Sequence, residues 1–150
     1  MKTHLFSLGA ALAVAVLLPA FARADTGWET DLKKAQEQAK SSNKLVFLDF
    51  TGSDWCGYCI RLNADILSKP AFKDYATKNL VLVEVDFPRA KPQTVDTRKQ
   101  NQELAEKYGI QGFPTIVVLN GAGQKVWQYE GYFPGGPDAF IAELEKARKG

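Results

Sequence analysis

Cys56 and Cys59 are the only cysteines of the 150-residue chain, and two residues separate them. On a helix, positions three apart share a face about a turn from each other, so both sulfurs can reach disulfide geometry without backbone movement. A pair that can open and close supports thiol-disulfide exchange. The apolar, strand-like run 44–50 precedes it, joined by the loop Thr51-Gly52-Ser53-Asp54-Trp55, so the pattern is a strand feeding a helix. With a helix start near Cys56, its sulfur meets unpaired backbone N–H groups and the positive end of the helix dipole, both of which favour thiolate. Cys56 is then the nucleophile and Cys59, a turn deeper, the thiol that resolves a mixed disulfide.

Other uses of two cysteines are open at this point. An oxidising compartment allows a purely structural bridge, although one closing so short a loop restrains the unfolded chain very little. A Cys-x-x-Cys between strand and helix also suits a soft-metal module, but two cysteines alone make a poor cage. A binding domain whose pair captures a client without turnover is the third alternative.

The N-terminus sets the compartment. Lys2 and His4 precede an apolar run over 5–18, and Ala22-Arg23-Ala24 is a small-x-small cleavage pattern, which together read as a signal peptide over 1–24. Ser7, Gly9 and Pro19 leave the run short for a span of about 20 apolar residues, so no stable membrane insertion is expected after cleavage. The expected mature domain is 25–150, enough for one core, exported and periplasmic. Removing Lys2 and Arg23 lowers the basic residues from 19 to 17 against 17 acidic ones. Formal charge falls from +2 to zero, and no nucleic-acid partner is expected. His4 and Met1, the single histidine and methionine, leave as well. No metal site is expected, nor any cofactor beyond a redox-active Cys56–Cys59 disulfide.

Around the pair, periodicity predicts an amphipathic helix over 30–40, with Leu32, Ala35 and Ala39 on one stripe and Trp28 packing just before it. The strand over 44–50 is apolar on both faces, as in a central strand covered on both sides. After the cysteine helix, Pro70 opens a short helix to 78 with Phe72 and Tyr75 inward. A strand follows over 80–85. Residues 87–95, with Pro88 and Pro92, read as a surface loop and the segment best suited to mobility or partner choice. Asp96 is the expected N-cap of a helix over 97–108 that Gly109 stops. Strands over 115–119 and 125–129 make a hairpin, and a helix over 137–149 closes the chain. The expected class is α/β: a mixed sheet of about four strands flanked by helices, with the cysteines where a strand's C-terminal end meets a helix N-terminus.

Two separated segments resemble the thioredoxin superfamily: Leu48-Asp49-Phe50 with Trp55-Cys56-Gly57-Tyr58-Cys59, and Lys107-Tyr108-Gly109-Ile110-Gln111-Gly112-Phe113-Pro114-Thr115. The loop before Cys56 is similar to that of the exported bacterial single-domain branch, some of whose members are called thiol-disulfide isomerases. The resemblance implies a thioredoxin-like sandwich and an oxidoreductase acting on exported proteins with thiols or disulfides, recharged by a membrane redox partner. Reductase and isomerase directions both stay open. It further implies that Pro114 follows a cis bond and that the Phe113 backbone pairs with an extended substrate peptide. Trp55 is then an aromatic that shapes the site, Gly57 permits a tight helix start and close substrate approach, and exposed Tyr58 contacts the partner. Gly57-Tyr58 is similar to the pair in periplasmic isomerases, so the expected potential is more oxidising than the roughly −270 mV of thioredoxin.

Asp49 shares a strand face with Leu45 and Phe47, and a buried carboxylate is costly without a partner. In the family a buried aspartate near this point relays a proton for the resolving cysteine. This chain has one more residue between Asp49 and Cys56 than thioredoxin, and Leu82 stands where thioredoxin has a lysine on the adjacent strand. A carboxylate capping the active-site loop through backbone N–H groups is the competing role for Asp49. Arg61 reads as a solvated helix residue.

Overall fold

The computed structural model describes residues 27–150; the expected signal peptide and its cleavage point lie outside them. Five strands form one mixed sheet in the order β1-β3-β2-β4-β5. β2 (Leu45–Thr51) is central and buried along its whole length. It runs parallel to β3 (Leu80–Asp86) and antiparallel to β4 (Thr115–Leu119), and β5 (Lys125–Glu130) pairs antiparallel with β4. The fifth strand, β1 (Trp28–Glu29), adds to the four expected and lies parallel to β3 at the edge. Two residues are too few to carry a period-2 pattern; pairing and the packing of Trp28 edge-on to Phe47, ring centroids 6.1 Å apart, define it.

Alternation along β2 supplies both cores. Val46, Leu48 and Phe50 pack with α1 (Leu32–Ser42) and α4 (Val95–Tyr108) through Leu32, Ala35, Ala39, Leu104 and Tyr108. Leu45 and Phe47 point the other way, toward Phe72 of α3 (Pro70–Asn79) and Phe140 and Leu144 of α5 (Gly136–Lys149). Each buried aliphatic or aromatic side chain there contributes about 1.5–3 kcal/mol. The site sits on the second face, where α2 (Gly57–Leu62) leaves the end of β2.

Local chemistry explains the helix ends. Asp31 accepts the Lys34 N–H at 3.0 Å and caps α1. Thr94 caps α4 by accepting the Thr97 N–H at 3.2 Å, which corrects the expected cap at Asp96. Asp96 instead lies inside the first turn, where a carboxylate complements the dipole. α2 widens to π pitch over Asn63–Leu67, with the Ser68 N–H donating five residues back to the Asn63 carbonyl at 2.8 Å. Such widening inside a helix is frequent at functional sites.

Candidate active site

Cys56 occupies the N-cap of α2 with extended backbone, and its Sγ accepts the Cys59 N–H at 3.3 Å. The two are disulfide-bonded, with Cα atoms 5.3 Å apart. Cys56 is 7% exposed and Cys59 4%, whereas the neighbouring Tyr58 is 65% exposed.

The second motif comes to the same place. The Phe113–Pro114 bond is cis, and the Phe113 ring stands edge-on to Trp55 at 6.1 Å and stacks on Phe87 at 5.0 Å. Among the described residues no backbone hydrogen bond engages Phe113, so its N–H and C=O stay available to an incoming strand. Pro114, buried, has its carbonyl taken by the Gly131 N–H at 2.8 Å.

Trp55 is fixed from several sides. Its Nε1–H donates to the Phe87 carbonyl at 2.8 Å, and the Arg89 guanidinium lies 3.9 Å from its ring centroid. Beneath it lies Gly52, where a Cβ would sit 2.5 Å from the indole. Gly52 is thus the glycine of this loop that another side chain packs against. At Gly57 a Cβ would meet nothing within 4 Å, so the start of α2 does not need a glycine there.

Two carboxylates outside the Cys-x-x-Cys motif build the loop. Asp86, at the end of β3, accepts the Ser53 N–H at 2.9 Å and the Ser53 hydroxyl at 2.6 Å. Asp54 accepts the N–H groups of Arg89, Ala90 and Lys91 at 3.0, 2.7 and 3.2 Å, and these bonds hold its carboxyl below the usual carboxylate range. Residues 87–95, expected as a surface loop suited to mobility or partner choice, are therefore fastened to the segment before Cys56 through residues 89–91, and Gln93 adds a bond to the Asp86 carbonyl. An acid at a strand end followed by a proline-bearing loop was the available signal for Asp86; Asp54 offered none beyond its place beside Trp55.

Asp49 does not cap the loop. Asp49 is 8% exposed, and its Oδ1 is buried with no hydrogen-bond partner; Asp86 does the capping. Asp49 lines a cleft of about 420 Å³ together with Trp28, Thr51, Cys59, Asn63 and Glu84. Burial first, then the charges of Glu84 and Asp86, push its carboxyl up to about 7. A carboxyl that changes charge near neutrality beside Cys59 can take up and release a proton there. Leu82, standing where thioredoxin has a lysine, pairs with Phe47 and packs in the adjoining core, and the strand neighbour of Asp49 is Glu84. Arg61 is turned away, paired with Asp65 at 3.3 Å and lying over Tyr132. Among the described residues no three of His, Cys, Asp and Glu are grouped to hold a metal, and no helix is long and apolar enough to cross a membrane.

The profile of the Thioredoxin-like domain matches residues 32–148. The chain belongs to this family. The thioredoxin-like domain is 38% identical over 128 residues to the disulfide bond reductase DsbH of Chlamydia pneumoniae, covering 85% of this chain and 76% of that protein. A solved structure of a DsbH oxidoreductase superposes with a TM-score of 0.77 at 36% identity, over 93% of this chain and 95% of the other. The oxidised C-terminal domain of Neisseria meningitidis DsbD superposes at 0.56 with 25% identity, over 77% and 92%. With a bonded Cys56–Cys59 pair at the helix start, this thioredoxin-like domain is a thiol-disulfide oxidoreductase.

Proposed function

We propose that the domain, freed of residues 1–24, reduces disulfides of exported proteins in the periplasm. The observation that carries this reading is the capped sulfur of Cys56, whose contact with the Cys59 N–H favours the thiolate that must attack. The Cys56 thiolate attacks one substrate sulfur, the substrate S–S bond breaks, and its electron pair leaves on the other sulfur. Asp49 takes the proton from the Cys59 thiol. The Cys59 electron pair then bonds to Cys56 Sγ, the Cys56–substrate bond breaks, and the substrate sulfur it held departs as thiolate and is protonated by water. Phe113 holds the substrate backbone, and Trp55, Tyr58 and the open surface at Gly57 face it.

The reductive direction is supported by the likeness to a protein named disulfide bond reductase. The Gly57-Tyr58 pair supports a potential above thioredoxin's, about −270 mV. The oxidised enzyme is recharged by a membrane donor, and the Cys56–Cys59 pair is the whole redox group.

Equilibration of the protein with glutathione, read by alkylation and mass, gives the potential; a value near −120 mV, that of a strong oxidant, overturns the reductive reading. Turnover of insulin disulfides by the reduced protein, lost in Cys56→Ser, tests the enzyme itself. Mass analysis of protein recovered from a bacterial periplasm tests cleavage after Ala24.

A further inference from the structure

The cleft behind Cys59 is walled by two carboxyls. Asp49 of β2 and Glu84 of β3 are direct partners in the parallel register. Neighbouring strands lie about 4.8 Å apart, so the two side chains leave the same face side by side, and both line the cleft with Cys59. Asp49 Oδ1 is buried without a partner. Glu84 is half-buried, and among the described residues no salt bridge engages it. Two like charges so placed cannot both ionise without cost.

The surroundings do not supply a neutralising partner for Asp49. β3 adds Asp86, which is engaged by Ser53 and repels both carboxyls. The loop after β3 brings Lys91, whose charge favours ionised Glu84. β1 contributes Trp28, β4 places Ile116 opposite Asp49, and the helix side brings Cys59 and Asn63, all without charge while the disulfide is closed.

We propose that Asp49 and Glu84 work as one carboxyl pair sharing a single proton, with Glu84 the positioning residue that governs when Asp49 can accept a proton from Cys59. A proton on Asp49 passes to Glu84, Asp49 takes the thiol proton as the Cys59–Cys56 bond forms, and Glu84, the more exposed carboxyl, returns one to water. Protons balance, and the electron pair of the broken Cys56–substrate bond leaves with the substrate thiolate. A cleft of about 420 Å³ admits water to that outlet. The idea rests on the reading of Asp49 as the relay and adds the partner that tunes it.

The test is stopped-flow resolution of the mixed disulfide that Ellman's reagent forms on Cys56, read by release of the coloured thiolate between roughly pH 5 and pH 9, in wild type, Glu84→Gln and Asp49→Asn. Wild type is expected to show two overlapping steps. Glu84→Gln is expected to show one step, moved down by about one unit because the neighbouring negative charge is gone, and Glu84→Asp to restore two. A Glu84→Gln profile that superimposes on wild type, or moves up, overturns the pair while leaving the Asp49 relay standing. Unchanged resolution in Asp49→Asn overturns the relay itself. Carboxyl-carbon NMR of the oxidised wild-type chain needs no variant: both resonances are expected to titrate in the same two steps, and independent single steps overturn the pairing.

Discussion

The Cys59 N–H donates to Cys56 Sγ at 3.3 Å, so the first cysteine caps the helix that carries the second. The contact makes the pair asymmetric: the Cys56 sulfur accepts a helix N–H, while Cys59 lines the cleft with the two carboxyls.

That asymmetry fixes the order of alkylation. In the reduced protein iodoacetamide is expected to modify Cys56 well before Cys59, by about tenfold or more at neutral pH. Peptide mapping after short exposure checks this, and equal labelling would contradict the assigned roles. Cys59→Ser is expected to accumulate a mixed disulfide with substrate protein that Cys56→Ser never forms.

Asp49 is held in the fold at a cost. Its folded pKa is raised from 3.8 to about 7, so the penalty is absent below the unfolded value, grows as pH rises between the two and is full above about 7. Asp49→Asn should therefore stabilise the oxidised protein at pH 8, by up to about 4 kcal/mol, and have little effect near pH 4. Denaturant midpoints at the two pH values measure the difference. A variant less stable at pH 8 than at pH 4, relative to wild type, would reverse the sign.

Gly52→Ala drives a methyl group to 2.5 Å from an indole that Phe87 and Arg89 already hold. Overpacking of this kind costs about 1–3 kcal/mol. The expected result is a lowered urea midpoint and altered Trp55 fluorescence, whereas Gly57→Ala, with open space around it, should leave stability within about 0.5 kcal/mol.

Asp54→Ala removes the acceptor shared by the N–H groups of Arg89, Ala90 and Lys91. Hydrogen exchange at these amides is expected to accelerate severalfold while the central β2 amides stay protected. In the wild type the same loosening comes with acid: the Asp54 carboxyl is lowered, so the tether is complete above the ordinary carboxylate range and is lost as pH falls through the folded value. Unchanged exchange at Arg89, Ala90 and Lys91 would mean that other bonds hold the loop.

What the chain determined by itself was everything written in short-range spacing. A near-continuous apolar run over 44–50 marked a strand buried on both faces, three-residue spacing let Cys56 and Cys59 bond, and the two motifs identified the family and its sheet-and-helix layers. Those signals survive because a strand's period of two and a helix's of 3.6 are local properties of the backbone. Tertiary structure decided what depends on register between distant segments. β1 is a strand through its pairing with β3, which lies more than fifty residues further along. The loop is capped by Asp86 and not Asp49, and Asp54 ties down a segment expected to be mobile, because β2 and β3 place those carboxylates relative to the backbone they serve. The same register sets Glu84 beside Asp49 and Leu82 beside Phe47. Spacing along one segment carries no information about which residue of another will stand 4.8 Å away across a sheet, and that alignment is what gives the buried carboxyl its neighbour.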